Sequence, residues 1–214
     1  MTDFNRTQLY LVTPPKLDLA IFPDILARTL DAGRVACIQL RLKDAIEDDI
    51  RRAVDILKPI TQDRGVTFLL NDDPVLAAHT GCDGVHIGQE DAAYDDARKA
   101  VGPDAIVGVT CHNSRHLGVE AAEQGADYVA FGAFFETKTK TPKFHAEVEI
   151  LEWWCQDMTV PVVAIGGITL DNCSQLISTG ADFLAIASGV WDHVAGPNEA
   201  VKAFNQIIKE ASPR

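Results

Sequence analysis

Cations, amides and carboxylates stand at the ends of short apolar runs in this sequence, in types suited to phosphorylated ligands. One run ends Gln39-Leu40-Arg41-Leu42-Lys43. Strand-like alternation puts Gln39, Arg41 and Lys43 on one side of the chain and both leucines on the other. Arginine offers a planar fork to a phosphate and lysine a point charge. A solvated strand end is the alternative for either cation. The next run ends Asn71-Asp72-Asp73, immediately before Pro74. Asp73 fits a helix cap there. A following run leads into Gly88-Gln89-Glu90-Asp91, where a cap is again open. Two acidic loops after neighbouring strands could instead share one Mg²⁺. That ion takes few carboxylates and keeps phosphate oxygens and water as its other ligands.

Later runs add hydroxyls and glycines. Gly108-Val109-Thr110-Cys111-His112-Asn113 holds a candidate base, His112, which reads equally as a structural histidine. His86 lies inside an apolar run and reads as a satisfied core residue. Glu136-Thr137-Lys138-Thr139-Lys140-Thr141 is either a solvated loop or a flap. As a flap it would close on an anion through hydroxyls, backbone N–H groups and Lys140. Gly166-Gly167 and Ser188-Gly189 follow two further runs, and glycine there lets backbone amides approach an anion.

These groups share one face only if the runs are parallel strands, and a repeated pattern says they are. Gly81-Cys82-Asp83, Gly125-Ala126-Asp127 and Gly180-Ala181-Asp182 each follow a helix-like segment and precede an apolar strand. A glycine can end the helix in the left-handed conformation. Eight strands are predicted near Gln8–Val12, Ala36–Arg41, Val66–Asn71, Gly84–Ile87, Ile106–Thr110, Tyr128–Ala133, Val162–Ile165 and Phe183–Ala187. They are short, mostly apolar runs, as expected for strands buried on both faces. Helical stripes lie between them: Ile50, Val54, Leu57 and Ile60; Leu117, Ala121 and Ala122; Val201, Phe204, Ile207 and Ile208. Pro74 can open a short helix. The expected fold is α/β, a single (β/α)8 TIM barrel over residues 1–214, with its site at the C-terminal strand ends. A doubly wound open sheet usually needs fewer such units.

Composition narrows the function. A net charge of −12 argues against broad nucleic-acid binding. No long apolar run marks a membrane span. Five cysteines without CxxC spacing read as reduced thiols of a cytoplasmic protein. The sequence leaves a homo-oligomer open.

Taken in order, QLRLK, LLNDDPVLA, DGVHIGQED, GVTCHN, DYVAFGAFFETKTK and VAIGGIT resemble the thiamine-phosphate synthase family, along nearly the whole chain. That family joins a pyrimidine methyl diphosphate to a thiazole ethyl phosphate. The resemblance implies that Arg41, Lys43, Asn71 and Lys140 hold the diphosphate and that Asp72 and Asp91 bind Mg²⁺. It implies Gln39 at the pyrimidine and Thr110 near the diphosphate, with Arg41, Lys43, Lys140 and Thr110 acting in catalysis. Thr137, Thr139, Gly167 and Ser188 would meet the thiazole phosphate. Leu42 stands where the family usually has glutamate, Thr110 where it has serine, and Ala133 and Glu136 where it often has proline. FGAFFET also resembles the related thiazole tautomerase, an isomerase in which His112 would be the acid or base. A non-catalytic barrel that binds a phosphorylated ligand is the third reading.

Overall fold

The computed structural model describes residues 7–137 and 144–211. Eight strands alternate with helices: β1 Gln8–Val12, α1 Phe22–Asp31, β2 Cys37–Leu40, α2 Glu47–Gln62, β3 Thr67–Asn71, α3 Pro74–Thr80, β4 Gly84–Ile87, α4 Tyr94–Val101, β5 Ile106–His112, α5 Arg115–Gln124, β6 Tyr128–Phe131, α6 Glu149–Asp157, β7 Val162–Ile165, α7 Cys173–Ser178, β8 Phe183–Ile186, α8 Ser188–Trp191 and α9 Pro197–Ala211. The strands pair in chain order and close on themselves, all parallel. This is the (β/α)8 barrel the repeats predict.

Two apolar shells follow from strand alternation. Leu9, Leu11, Ile38, Leu40, Phe68 and Leu70 point outward and join the helices' buried faces, including Val54, Leu57, Val201 and Phe204. Tyr10, Val12, Cys37, Leu69, Tyr128, Ala130, Val163 and Ala185 fill the barrel interior.

The Gly-x-Asp repeat does one job three times. Gly81, Gly125 and Gly180 take φ of 63°, 100° and 93°, which glycine adopts without steric cost. The aspartate two residues on then grips the start of the preceding strand. Its carboxylate accepts a backbone N–H: Asp83 from Phe68 at 2.7 Å, Asp127 from Val107 at 2.7 Å and Asp182 from Val162 at 2.8 Å. Its own N–H donates to the same residue's carbonyl at 2.9, 2.9 and 3.1 Å respectively. These clamps lie at the N-terminal end of the barrel, opposite the strand ends that carry chemistry.

Some strand ends differ from expectation. β2 stops at Leu40, and Lys43 N–H donates to Pro15 O at 2.8 Å. β5 runs on to His112 through an irregular register between Thr110 and His112. β6 stops at Phe131, and Ala133 leaves it to bond Phe144 O at 3.3 Å.

Candidate active site

A cavity of about 550 Å³ opens at the C-terminal ends of the strands, within the usual size range of small-ligand sites. Gln39, Arg41, Asn71, Asp72, Asp91, Thr110, Thr137, Gly167 and Ser188 all line it. Lys43 does not: it is exposed, and the chain has left strand geometry before reaching it. Alternation therefore does not carry Lys43 to the side of Arg41. Thr139 and Lys140 lie outside the described residues.

Arg41 is placed by its backbone. Thr13, buried at the end of β1, accepts the Arg41 N–H on Oγ1 at 2.9 Å, and Thr13 N–H donates to Gln39 O at 3.0 Å. Thr13 was not singled out from the sequence, because a lone threonine after an apolar strand gives no signal.

The acidic residues separate into different roles. Asp73 caps α3, its side chain accepting Leu76 N–H at 2.9 Å. Asp72 takes φ of 68°, donates its N–H to His86 O at 2.8 Å, and lines the cavity. Asp91 is not a helix cap: α4 starts after Ala93, and Asp91 Oδ2 instead accepts Gly88 N–H at 2.7 Å within its own turn. Two hard carboxylates on one cavity wall suit Mg²⁺, which needs few protein ligands. Among the described residues no group of three or more His, Cys, Asp or Glu side chains could hold a metal alone.

Beneath the cavity lies a polar chain. Gln39 Nε2 donates to Asn71 Oδ1 at 2.5 Å, and the Tyr10 hydroxyl donates to Gln39 Oε1 at 3.0 Å. Tyr10 and Tyr128 hydroxyls are 2.9 Å apart. Tyr128 meets His86 Nδ1 at 2.8 Å, and His86 Nε2 meets Thr110 Oγ1 at 2.7 Å. Burial lowers the His86 pKa to about 4, with Arg41 adding to the shift and Asp91 opposing it. Burial raises both tyrosines well above the ordinary phenol value, so they stay protonated. His86 is the satisfied core histidine expected, and it also lines the cavity. The two tyrosines were not anticipated. Their signal was a polar atom at an inward position of a strand.

The corner between β6 and β7 is zipped by backbone. Phe134 N–H donates to Ile165 O at 3.2 Å and Phe135 N–H to Gly166 O at 3.1 Å. Gly167 has φ of 65°, and a β-carbon on it would meet Glu136 O at 2.2 Å. Its missing side chain thus makes room for the loop, while its other side borders the cavity. Asn172 braces the turn, accepting Thr169 N–H at 2.8 Å and donating to Gly167 O at 3.0 Å. His112 has φ of 52° and packs its ring against Phe144 at 4.6 Å.

Cys111 is fully buried, and burial pushes its thiol up to about 12. It offers no thiolate nucleophile. No helix among the described residues is long and apolar enough to cross a membrane.

The chain is similar along most of its length to known proteins. A thiamine-phosphate synthase of Rhodospirillum centenum is 59% identical, covering 98% of this chain and 100% of that protein. One from Hyphomonas neptunium is 48% identical over 95% of each. The thiamine phosphate pyrophosphorylase structure from Pyrococcus furiosus superposes with a TM-score of 0.84 at 27% identity, covering 98% of this chain and 99% of that one. Orotidine 5'-phosphate decarboxylase from Pyrococcus horikoshii, at 15% identity and a TM-score of 0.67, shares the fold alone. The family model for thiamine monophosphate synthase matches residues 9–190. This chain belongs to the thiamine monophosphate synthase family.

Proposed function

We propose that this chain is a thiamine-phosphate synthase that joins a pyrimidine methyl diphosphate to a thiazole ethyl phosphate and releases pyrophosphate. One observation carries the reading. A single cavity has Arg41, Asn71 and the two carboxylates Asp72 and Asp91 from β2 to β4, and Gly167 and Ser188 from β7 and β8. The first group suits a diphosphate with its metal. The second lies where barrels of this kind usually bind a phosphate.

In this reading Asp72 and Asp91 hold Mg²⁺, which when bound supplies positive charge to the diphosphate oxygens. Arg41, the Asn71 amide and Thr110 bind and orient that diphosphate, and Gln39 borders the pyrimidine. Arg41 stabilises the charge that builds as the carbon–oxygen bond to pyrophosphate breaks. The thiazole nitrogen then bonds to the freed methylene carbon, held in line by its phosphate at Gly167, Ser188 and Thr137. Lys43, Thr139 and Lys140 enter through the sequence pattern and the family resemblance. No protein nucleophile is needed, in keeping with the buried Cys111 thiol.

The proposal extends to the whole of residues 1–214 as one domain, acting in the cytoplasm. Five free cysteines and a net charge of −12 support a reducing compartment and small-molecule partners, with neither nucleic acid nor membrane among them. A homo-oligomer is compatible with this reading. The test is purified protein with both substrates and Mg²⁺, followed for pyrophosphate and thiamine phosphate. Proton exchange on a thiazole carboxylate phosphate without product would instead assign the isomerase.

A further inference from the structure

Between the Arg41 corner and the Ser188 corner of the cavity, one peptide unit is bonded at both edges. It consists of the Val12 carbonyl and the Thr13 N–H, and both residues line the cavity. The Thr13 N–H donates to Gln39 O at 3.0 Å. The Val12 carbonyl accepts the Trp191 indole N–H at 2.7 Å, across 179 positions of chain. Strand parity explains why an indole serves there. Gln8 N–H donates to Asp182 O, so the even-numbered residues of β1 face β8. β8 ends at Ile186 and the chain turns into α8, which leaves the Val12 carbonyl beyond the last rung. The indole supplies its donor. A peptide unit is planar and stiff, so these two bonds fix the spacing of α8 and β2 across β1.

Each edge of that unit serves one corner. On the β2 side Thr13 Oγ1 also accepts the Arg41 N–H at 2.9 Å. On the β8 side Ser188 opens the four-residue helix that Trp191 ends. A β-carbon on Gly189 would meet Ile168 O at 2.3 Å, so the same helix lies against the loop that carries Gly167. The Trp191 ring packs on Phe22 of α1, with centroids 5.2 Å apart, and does not line the cavity.

We infer that Trp191 is a positioning residue that sets the spacing between the Arg41 and Ser188 corners. Through the shared peptide it holds two separately anchored substrates at the separation their joining requires, without touching either. This rests on the reaction proposed above. Bond formation between two anchored molecules depends steeply on alignment, and misplacement by about 1 Å can cost ~10²-fold in rate. Binding of either molecule alone depends on its own corner. Loss of the indole N–H should therefore slow the joining step and spare both affinities.

Trp191→Phe keeps a ring beside Phe22 and removes the N–H. Its single-turnover rate with both substrates bound should fall roughly 10–100-fold. Calorimetry should find each substrate, added alone, bound at near the wild-type affinity. The Arg41 amide resonance should shift, although it lies on the far side of β1 from the replaced ring. An unchanged rate in folded Trp191→Phe, affinities that fall as far as the rate, or an unmoved Arg41 amide each overturn the inference. If Trp191→Phe does not fold, Thr13→Val decides, because it breaks the strap at its other end. A slowed joining step with a shifted Trp191 indole resonance supports the inference, and an unshifted indole overturns it. A wild type that forms no thiamine phosphate, while Trp191→Phe still shifts the Arg41 amide, supports the strap and refutes the reaction.

Discussion

The Tyr128 ring fills the space that Gly108 leaves open in the barrel interior. The two are register partners across β5 and β6, and a β-carbon on Gly108 would lie 1.9 Å from the ring's Cζ and 2.3 Å from its hydroxyl. The glycine thus decides whether the phenol reaches Tyr10 and His86. Gly108→Ala should push the ring aside, with an overpacking cost of about 1–3 kcal/mol. Turnover should fall by more than that stability loss explains, because the polar chain to Thr110 is broken. Melting temperature and kcat/KM measured together check this. A variant with full activity would show that the ring's position is incidental.

Asp72→Asn and Asp91→Asn should each leave the fold intact. Asparagine can still accept the Gly88 N–H that Asp91 accepts now. Each should lower turnover by ~10²-fold, the scale of losing one group that stabilises a developing anion. Each should also raise the Mg²⁺ concentration needed for half-maximal rate. Wild-type rates across the whole titration would mean that the two carboxylates serve only their turns.

Gly167 should not tolerate a side chain. Its φ of 65° alone costs an L-residue ~1–2 kcal/mol, and Glu136 O occupies the β-carbon position. Gly167→Ala should therefore loosen the loop base as well as weaken use of the thiazole phosphate. Protease cleavage between β6 and α6 should accelerate in the variant. If cleavage is unchanged while the thiazole KM rises, the glycine acts on the ligand alone.

Cys111 should be chemically silent. A thiol raised to about 12 carries on the order of 10⁻⁴ thiolate at pH 8, and burial blocks access as well. The shift is upward, so the neutral form persists through physiological pH and ionises only in strong base. Native protein treated with iodoacetamide at pH 8 should keep Cys111 unmodified, and Cys111→Ala should turn over at near the wild-type rate. Loss of turnover in a folded Cys111→Ala protein would reopen covalent chemistry.

Much of this was legible in the chain, and the failures have physical causes. Val162–Ile165 and Gly84–Ile87 were readable to the residue because a strand buried on both faces is a bounded apolar run. Asp72 and Asp91 stood out as charges at such boundaries. Tyr10 and Tyr128 did not, since a tyrosine inside an apolar run looks the same whether its hydroxyl enters the barrel or the helix layer. Strand parity cannot be read as far as Lys43, because pairing ends at Leu40. Thr13 went unnoticed because it acts on the Arg41 backbone, and backbone partners leave no trace in side-chain patterns.

The three aspartate clamps have a consequence for how the chain can be cut. Each joins an odd strand to the even strand after it: β3 to β4, β5 to β6, β7 to β8. The connections entering odd strands, such as Gly102–Ala105, lie outside those joints. New chain ends placed there would leave every clamp within one fragment. Halves ending in α4 and beginning with β5 should find each other and rebuild the barrel, whereas a break between β3 and β4 would split a joint. In this molecule the divisible unit is the pair of strands, and tolerance to permutation should follow a period of two.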